Sequence, residues 1–313
     1  MSNTELIKEL RLLTAAGMKD CKDALEEANW DLQKAVDIVK IKGQNISDGR
    51  SGRAATEGRI AIEGPFNGIA TMCEVNCQTD FVSSNGAFVD FAQDVAASFY
   101  DSICNGTSFS LKSPLPDGSS FMCKDIEAAR ILTVSIIKEN IVVRRWWAEQ
   151  AQDPTVRIFA YLHSNDKIGV LLTMQAPSVE AANSKEFADL GSDLTMQICA
   201  MNPLGVSSDR IPLEEVDRQR VIFETQLKED AKPKPEAMWP KIIDGKLSKW
   251  YKDVCLLEQE SVISPKTTVN QVIKNVGSKL GGDIQIINFV RAEVGAGLEI
   301  KQSNLAEEVA KLM

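Results

Sequence analysis

The chain has 313 residues, 44% of them hydrophobic and 25% charged, enough for two or more domains with sizeable cores. A net charge of −9 argues against nucleic acid as a direct partner. No run approaches the ~18 apolar residues that span a bilayer, so no membrane association is expected.

Ser2-Asn3-Thr4-Glu5 leads straight into an amphipathic pattern, with neither a signal-peptide core nor an Arg-rich transit sequence. The expected compartment is the cytoplasm. Leu6, Ile7, Leu10 and Leu13 recur at helical spacing behind Thr4 as a cap, and Met18, Cys21, Ala24, Leu25 and Ala28 do so after Gly17. Asp31 can cap a third helix that carries Leu32, Ala35, Val36, Val39 and Ile41 and stops at Gly43. Residues 1–43 therefore read as a three-helix head, and the Gly/Ser/Arg-rich stretch 44–57 as a mobile linker.

From Arg59 the period changes to two. Arg59–Glu63 and Gly68–Asn76 read as antiparallel strands across a Gly-Pro-Phe-Asn-Gly turn. A helix with Phe88, Phe91, Val95, Ala96 and Phe99 follows, then a turn-rich excursion from Asn105 to Ser120, a helix over Lys124–Lys138 and a strand over Ile141–Glu149. Strands at Val156–Leu162 and Lys167–Gln175 meet at His163-Ser164-Asn165-Asp166, and a helix runs from about Glu180 to Met201. The order strand, turn, strand, helix thus occurs twice, which suggests an internal duplication. Leu213–Tyr251 is helical, charged and broken at Lys232-Pro233-Lys234-Pro235, the pattern of a protruding helical hairpin. Val216, Val221, Phe223 and Leu227 would face Met238, Ile242, Ile243, Leu247 and Trp250. A helix at Val269–Val276, a strand at Ile284–Val294 and a terminal amphipathic helix at Asn304–Met313 complete an α+β chain.

The segment Glu74-Val75-Asn76-Cys77-Gln78-Thr79-Asp80-Phe81-Val82 is the most informative. An alternating strand ends in Thr79-Asp80, and the next helical signal begins near Asn85, leaving Phe81 in the connection. Two readings stay open from the residues alone: a plug in the chain's own core, or a rigid finger for another protein.

Chemistry finds little support. The single histidine, His163, has no patterned Ser or Cys partner, and neither a phosphate-binding loop nor a dinucleotide fingerprint is present. Gly49-Arg50-Ser51-Gly52-Arg53 lacks the strand-to-helix context of a phosphate loop. Seven cysteines at 21, 73, 77, 104, 123, 199 and 255 are odd in number, scattered and without a C-x-x-C pair. No catalytic residue, metal site or cofactor is expected. Cys73 and Cys77 share strand parity and should face inward, and a thiol enzyme built on them requires a low-pKa thiol.

Several segments together resemble the elongation factor Ts family. They are Leu10-Arg11, Thr14–Leu25, Ala54–Gly58, Glu74–Val82, Glu139-Asn140-Ile141 with Arg144-Arg145, Ile168–Leu171, Leu256–Gln259 and Phe289–Gly295. The match is colinear over nearly the whole chain. The family usually has Glu in place of Gln78, and the Asn105–Ser120 stretch, the tandem Trp146-Trp147 and the polar first hairpin arm are unusual for it.

The resemblance implies a ubiquitin-associated-like (UBA-like) head at 1–43 and a linker at 44–57. It implies two related antiparallel-sheet-plus-helix core subdomains, one at 58–145 and one at 146–210 with 253–301. A coiled-coil hairpin is inserted at 211–252, and a C-terminal helix module occupies 302–313. It also implies a guanine-nucleotide exchange factor, not an enzyme, that binds elongation factor Tu in its GDP-bound and nucleotide-free forms. Thr79, Asp80, Phe81 and Val82 would disturb the partner's Mg²⁺ and phosphate site, with His163, Arg50 and Met18 as lesser contacts. The hairpin would support a homodimer or touch a distal domain of the GTPase. The alternative is a non-catalytic assembly subunit that holds elongation factor Tu in a larger complex, such as a viral RNA replicase.

Overall fold

The computed structural model describes residues 2–14, 16–105, 124–229 and 235–298. The excursion expected beyond Asn105 and the terminal helix at Asn304–Met313 lie outside them. The head consists of α1 (Asn3–Thr14), α2 (Met18–Glu27) and α3 (Leu32–Asp48) around Leu10, Cys21, Ala24, Leu25 and Ala35. Ser2 rather than Thr4 caps α1: its hydroxyl accepts the Glu5 amide at 3.4 Å while the Glu5 carboxylate accepts the Ser2 amide at 2.7 Å. Asp31 caps α3 as its spacing suggests, accepting the Lys34 amide at 3.0 Å.

Gly43 does not end α3. The helix runs five residues further, because Gly43 is where α3 meets α6 (Lys124–Ile137) of the first core unit. A Cβ at Gly43 would stand 3.5 Å from Ile131 Cγ2 and Ser135 Cβ. Past that contact Ser47 is buried and its hydroxyl accepts from Arg130 at 3.1 Å. The expected linker is shortened at both ends and tied in between, since Asn140 Nδ2 donates to the carbonyls of Ser51 and Arg53. Tertiary docking here outweighs the local stop signal.

The first core unit comprises β1 (Glu57–Phe66), β2 (Ile69–Cys77), the one-turn α4 (Asp80–Ser83), α5 (Gly86–Cys104), α6 and β3 (Val142–Gln150). Its antiparallel sheet has the order β1-β2-β3. Pairing of β2 with β3 continues to Ile69 opposite Gln150, so a domain limit at residue 145 would cut through one strand. The tandem tryptophans serve opposite faces of β3: Trp146 stacks on Phe99 at 4.7 Å, while Trp147 lies in the layer against the second sheet under the Arg145 guanidinium.

The second unit repeats the plan: β4 (Val156–Leu162), β5 (Ile168–Gln175), one-turn α7 (Val179–Ala182) and long α8 (Lys185–Met201). The single helix expected from Glu180 to Met201 is two helices, because Ser178 and Ser184 each accept an amide of their own N-terminal turn. The hairpin arms are α9 (Leu213–Lys228) and α10 (Trp239–Val254), packed through Leu227, Ile243 and Leu247. Val221 and Met238, expected at their seam, are exposed instead. Hydrogen bonds from Leu204 to Val254 and from Leu256 to Gly205 close the base of the hairpin as an insertion. The chain returns as α11 (Val269–Lys279) and β6 (Gln285–Glu293), completing a sheet of order β4-β5-β6.

The two sheets pack face to face, with α5 and α6 outside one and α8 and α11 outside the other. Every residue of β2 is buried as a result. Cys73, Val75 and Cys77 face α5; Ala70 and Met72 face the second sheet. Gly169 marks a close approach of the two sheets, where a Cβ would fall 2.6 Å from Ile60 and 2.7 Å from Met72.

Between the layers, Glu74 is fully buried and anchors the assembly. It accepts from Arg144 at 3.1 Å, from Arg145, and from the Gly295 amide beyond β6 at 2.8 Å. The same arginines donate onward to the carbonyls of Ala296 and Glu293.

Candidate functional site

Where β2 leaves the core, Thr79 takes an extended conformation and caps α4, its hydroxyl accepting the Val82 amide at 3.4 Å. The connection is thus a turn of helix rather than a loop. Asp80 Oδ1 accepts the Phe81 amide at 3.0 Å, and Ser83 Oγ returns a bond to the Asp80 carbonyl at 2.7 Å. Val82 packs inward against the first core, while Phe81 is 85% exposed. The plug reading therefore fails for Phe81: Val82 is the residue of this turn that reaches the core.

Two residues that sequence reasoning passed over support this turn. The Glu139 carboxylate accepts the amides of Gln78 and Thr79 at 3.2 and 3.1 Å and the Thr79 hydroxyl at 2.8 Å. Arg59 sits at the other end, with Nη2 on Asp166 Oδ2 at 2.7 Å and Nη1 directed at the Ser83 carbonyl at 3.5 Å. Glu139 had been visible only as part of a matching motif, and nothing in the pattern around Arg59 marked it.

Asp166 belongs to the β4–β5 turn that carries His163, and its carbonyl accepts the Ile60 amide at 2.7 Å. His163 is half-buried, with Nδ1 3.2 Å from the Tyr161 hydroxyl. Arg59 therefore brings the turn of His163 to the same end of the molecule as Phe81. Arg50 is half-buried in the turn after α3, beside the Ser51 and Arg53 carbonyls that Asn140 holds. Met18 opens α2 in the head and is exposed, as are Leu12 and Leu13.

The cysteines speak against thiol chemistry. Burial pushes the Cys73 and Cys77 thiols up to about 12, the neighbouring Glu74 and Glu139 carboxylates adding to the effect. Iodoacetamide at pH 8 is expected to modify exposed Cys104 in the native protein and spare Cys73 and Cys77. Peptide mapping checks this, and early alkylation of Cys73 or Cys77 would restore the thiol reading. Among the described residues no cluster of three or more His, Cys, Asp or Glu could hold a metal ion, and no helix is long and apolar enough to cross a membrane.

A family model described as elongation factor TS matches residues 78–296, and a UBA-like domain model matches residues 1–39. An elongation factor Ts of Clostridium kluyveri is 34% identical, with 99% of this chain and 98% of that protein aligned. Those of Clostridioides difficile and Clostridium acetobutylicum are each 36% identical, covering 98% and 100% of this chain and 97% and 99% of their own lengths. Fold and matches together define an elongation factor with a UBA-like head and a two-sheet α+β body. The chain belongs to the elongation factor Ts family.

Proposed function

We propose that this protein binds elongation factor Tu in the cytoplasm and promotes release of its GDP, with Phe81 as the group that enters the partner. The observation that carries the reading is an 85% exposed phenylalanine on a turn of helix tied at both ends to a packed core. A GTPase holds GDP through backbone amides around the phosphates and through Mg²⁺, whose oxygen ligation at ~2.0–2.1 Å tolerates little displacement. A factor that binds the nucleotide-free partner more tightly must weaken nucleotide affinity by the same ratio, because the two equilibria are linked. No proton or group transfer by the factor is needed. His163, held at the same end by Arg59 and Asp166, supplies a second contact, and Met18 and Arg50 supply lesser ones. The UBA-like head docks on the nucleotide-binding domain of the GTPase.

The test is turnover. A substoichiometric amount of this protein should accelerate release of fluorescent GDP from a large excess of elongation factor Tu, each molecule acting many times. Acceleration only in proportion to a stable stoichiometric complex would overturn the exchange reading in favour of an assembly subunit.

A further inference from the structure

An exposed side chain cannot fix its own position by packing. Phe81 inherits its direction from the backbone of α4, and α4 is too short to hold itself: four residues leave almost every amide without an intrahelical partner. What holds its first turn is a carboxylate that arrives 60 residues later in the chain. The three bonds to Glu139 come from consecutive donors, the Gln78 amide, the Thr79 amide and the Thr79 hydroxyl. The third bond has a further effect. A hydroxyl whose proton is committed to Glu139 turns its lone pairs elsewhere, here to the Val82 amide that it caps. One carboxylate therefore sets both the exit of β2 and the cap of the helix that carries Phe81.

Glu139 is itself placed firmly. Lys138 ends α6 in a left-handed conformation, φ 65°, while its amide still bonds to Val134 at 2.8 Å. That reversal turns the chain back toward the end of β2. Asn140, which follows, is buried and held by the Ser51 and Arg53 carbonyls.

We infer that Glu139 is the positioning residue of the Phe81 finger: it aims the ring without touching the partner. The inference rests on Phe81 being the group that enters the partner, and the experiment separates the two. In the full chain, Glu139→Ala should speed amide hydrogen exchange at Thr79 and Val82 by about tenfold or more, since charge-assisted bonds are the ones lost. The centre of β2 should be unaffected. Glu139→Gln should fall between the parent and Glu139→Ala, at about threefold: its carbonyl can keep the two amides, but without charge assistance, and its NH₂ cannot accept the Thr79 hydroxyl proton. GDP release stimulated by Glu139→Ala should be slower by about fivefold at saturation, with the half-saturating concentration nearly unchanged. In a Phe81→Ala background the same substitution should slow release no further, because a residue that acts only through Phe81 has nothing left to aim.

Unchanged amide exchange in Glu139→Ala, or full additivity with Phe81→Ala, would overturn the positioning role. If Phe81→Ala alone leaves release untouched while Glu139→Ala still loosens the turn, the reading of Phe81 fails and the structural role of Glu139 stands. Should Glu139→Ala not fold, Glu139→Asp keeps the charge but draws the carboxylate back by one methylene from the Gln78 and Thr79 donors, leaves the Thr79 hydroxyl in place, and is read by the same two measurements. It should loosen Val82 and slow release by about threefold; no effect on either would count against the proposal.

Discussion

Replacing Phe81 with alanine is expected to slow stimulated GDP release by tenfold or more while leaving the protein as stable as before. Burial of one phenylalanine ring in a partner is worth roughly 1.5–3 kcal/mol. If that burial occurs only as nucleotide leaves, its loss amounts to about one to two orders of magnitude in rate, at ~1.4 kcal/mol per tenfold. In the free protein the ring is 85% exposed and contributes little to folding, so the change in stability should stay within about 0.5 kcal/mol. Stopped-flow release of fluorescent GDP measures the first quantity and thermal unfolding the second. An unchanged rate would sink the proposed role of Phe81; a large fall in melting temperature would mean that the ring is held within its own core.

The largest effect on stability should come from Glu74→Gln. Every group facing this carboxylate is a donor: the Arg144 and Arg145 guanidiniums, the Gly295 amide and Asn76 Nδ2. Glutamine keeps the volume but removes the charge and places an NH₂ among donors, leaving two guanidiniums without their anion. Breaking a buried pair in this way costs about 3–5 kcal/mol when one partner is removed, and a polar isostere should recover part of that. A loss of about 2–4 kcal/mol is expected in urea denaturation, followed through Trp146 and Trp147 beside the site. A change below about 1 kcal/mol would mean that desolvation already offsets the ion pairs in the parent protein.

Glu74 also shows which parts of the structure could be read in advance. The alternation from Met72 to Cys77 was plain, and the shared parity of Cys73 and Cys77 does place both against α5. The opposite row carries the polar Glu74 and Asn76. It is buried because the second sheet, built from β4, β5 and the late-returning β6, covers it. At α3 the local signal misled in the other direction. Glycine near a helix end usually marks a stop, but Gly43 lies within the packed contact between α3 and α6, and the helix continues through it. The repeated strand–turn–strand–helix order was legible because it depends on local period and turn chemistry. The bond between Glu139 and Thr79 was not, since each residue looks like an ordinary polar end of its own element. Phe81 stood between two readings on periodicity alone, and the resemblance tilted the reading toward the surface.

The burial of β2 on both faces bears on more than stability. A projection that displaces part of another protein is pushed back with equal force, and a compliant mount would bend before the target moved. Phe81 stands four residues beyond Cys77, the end of the strand clamped between its two sheet neighbours, the helix above and the second sheet below. If Phe81 enters a partner as proposed, a thrust on the ring would pass down this central strand and spread over both layers. In that role the fold would serve less as a scaffold for a reactive group than as an anvil, firm where the load enters.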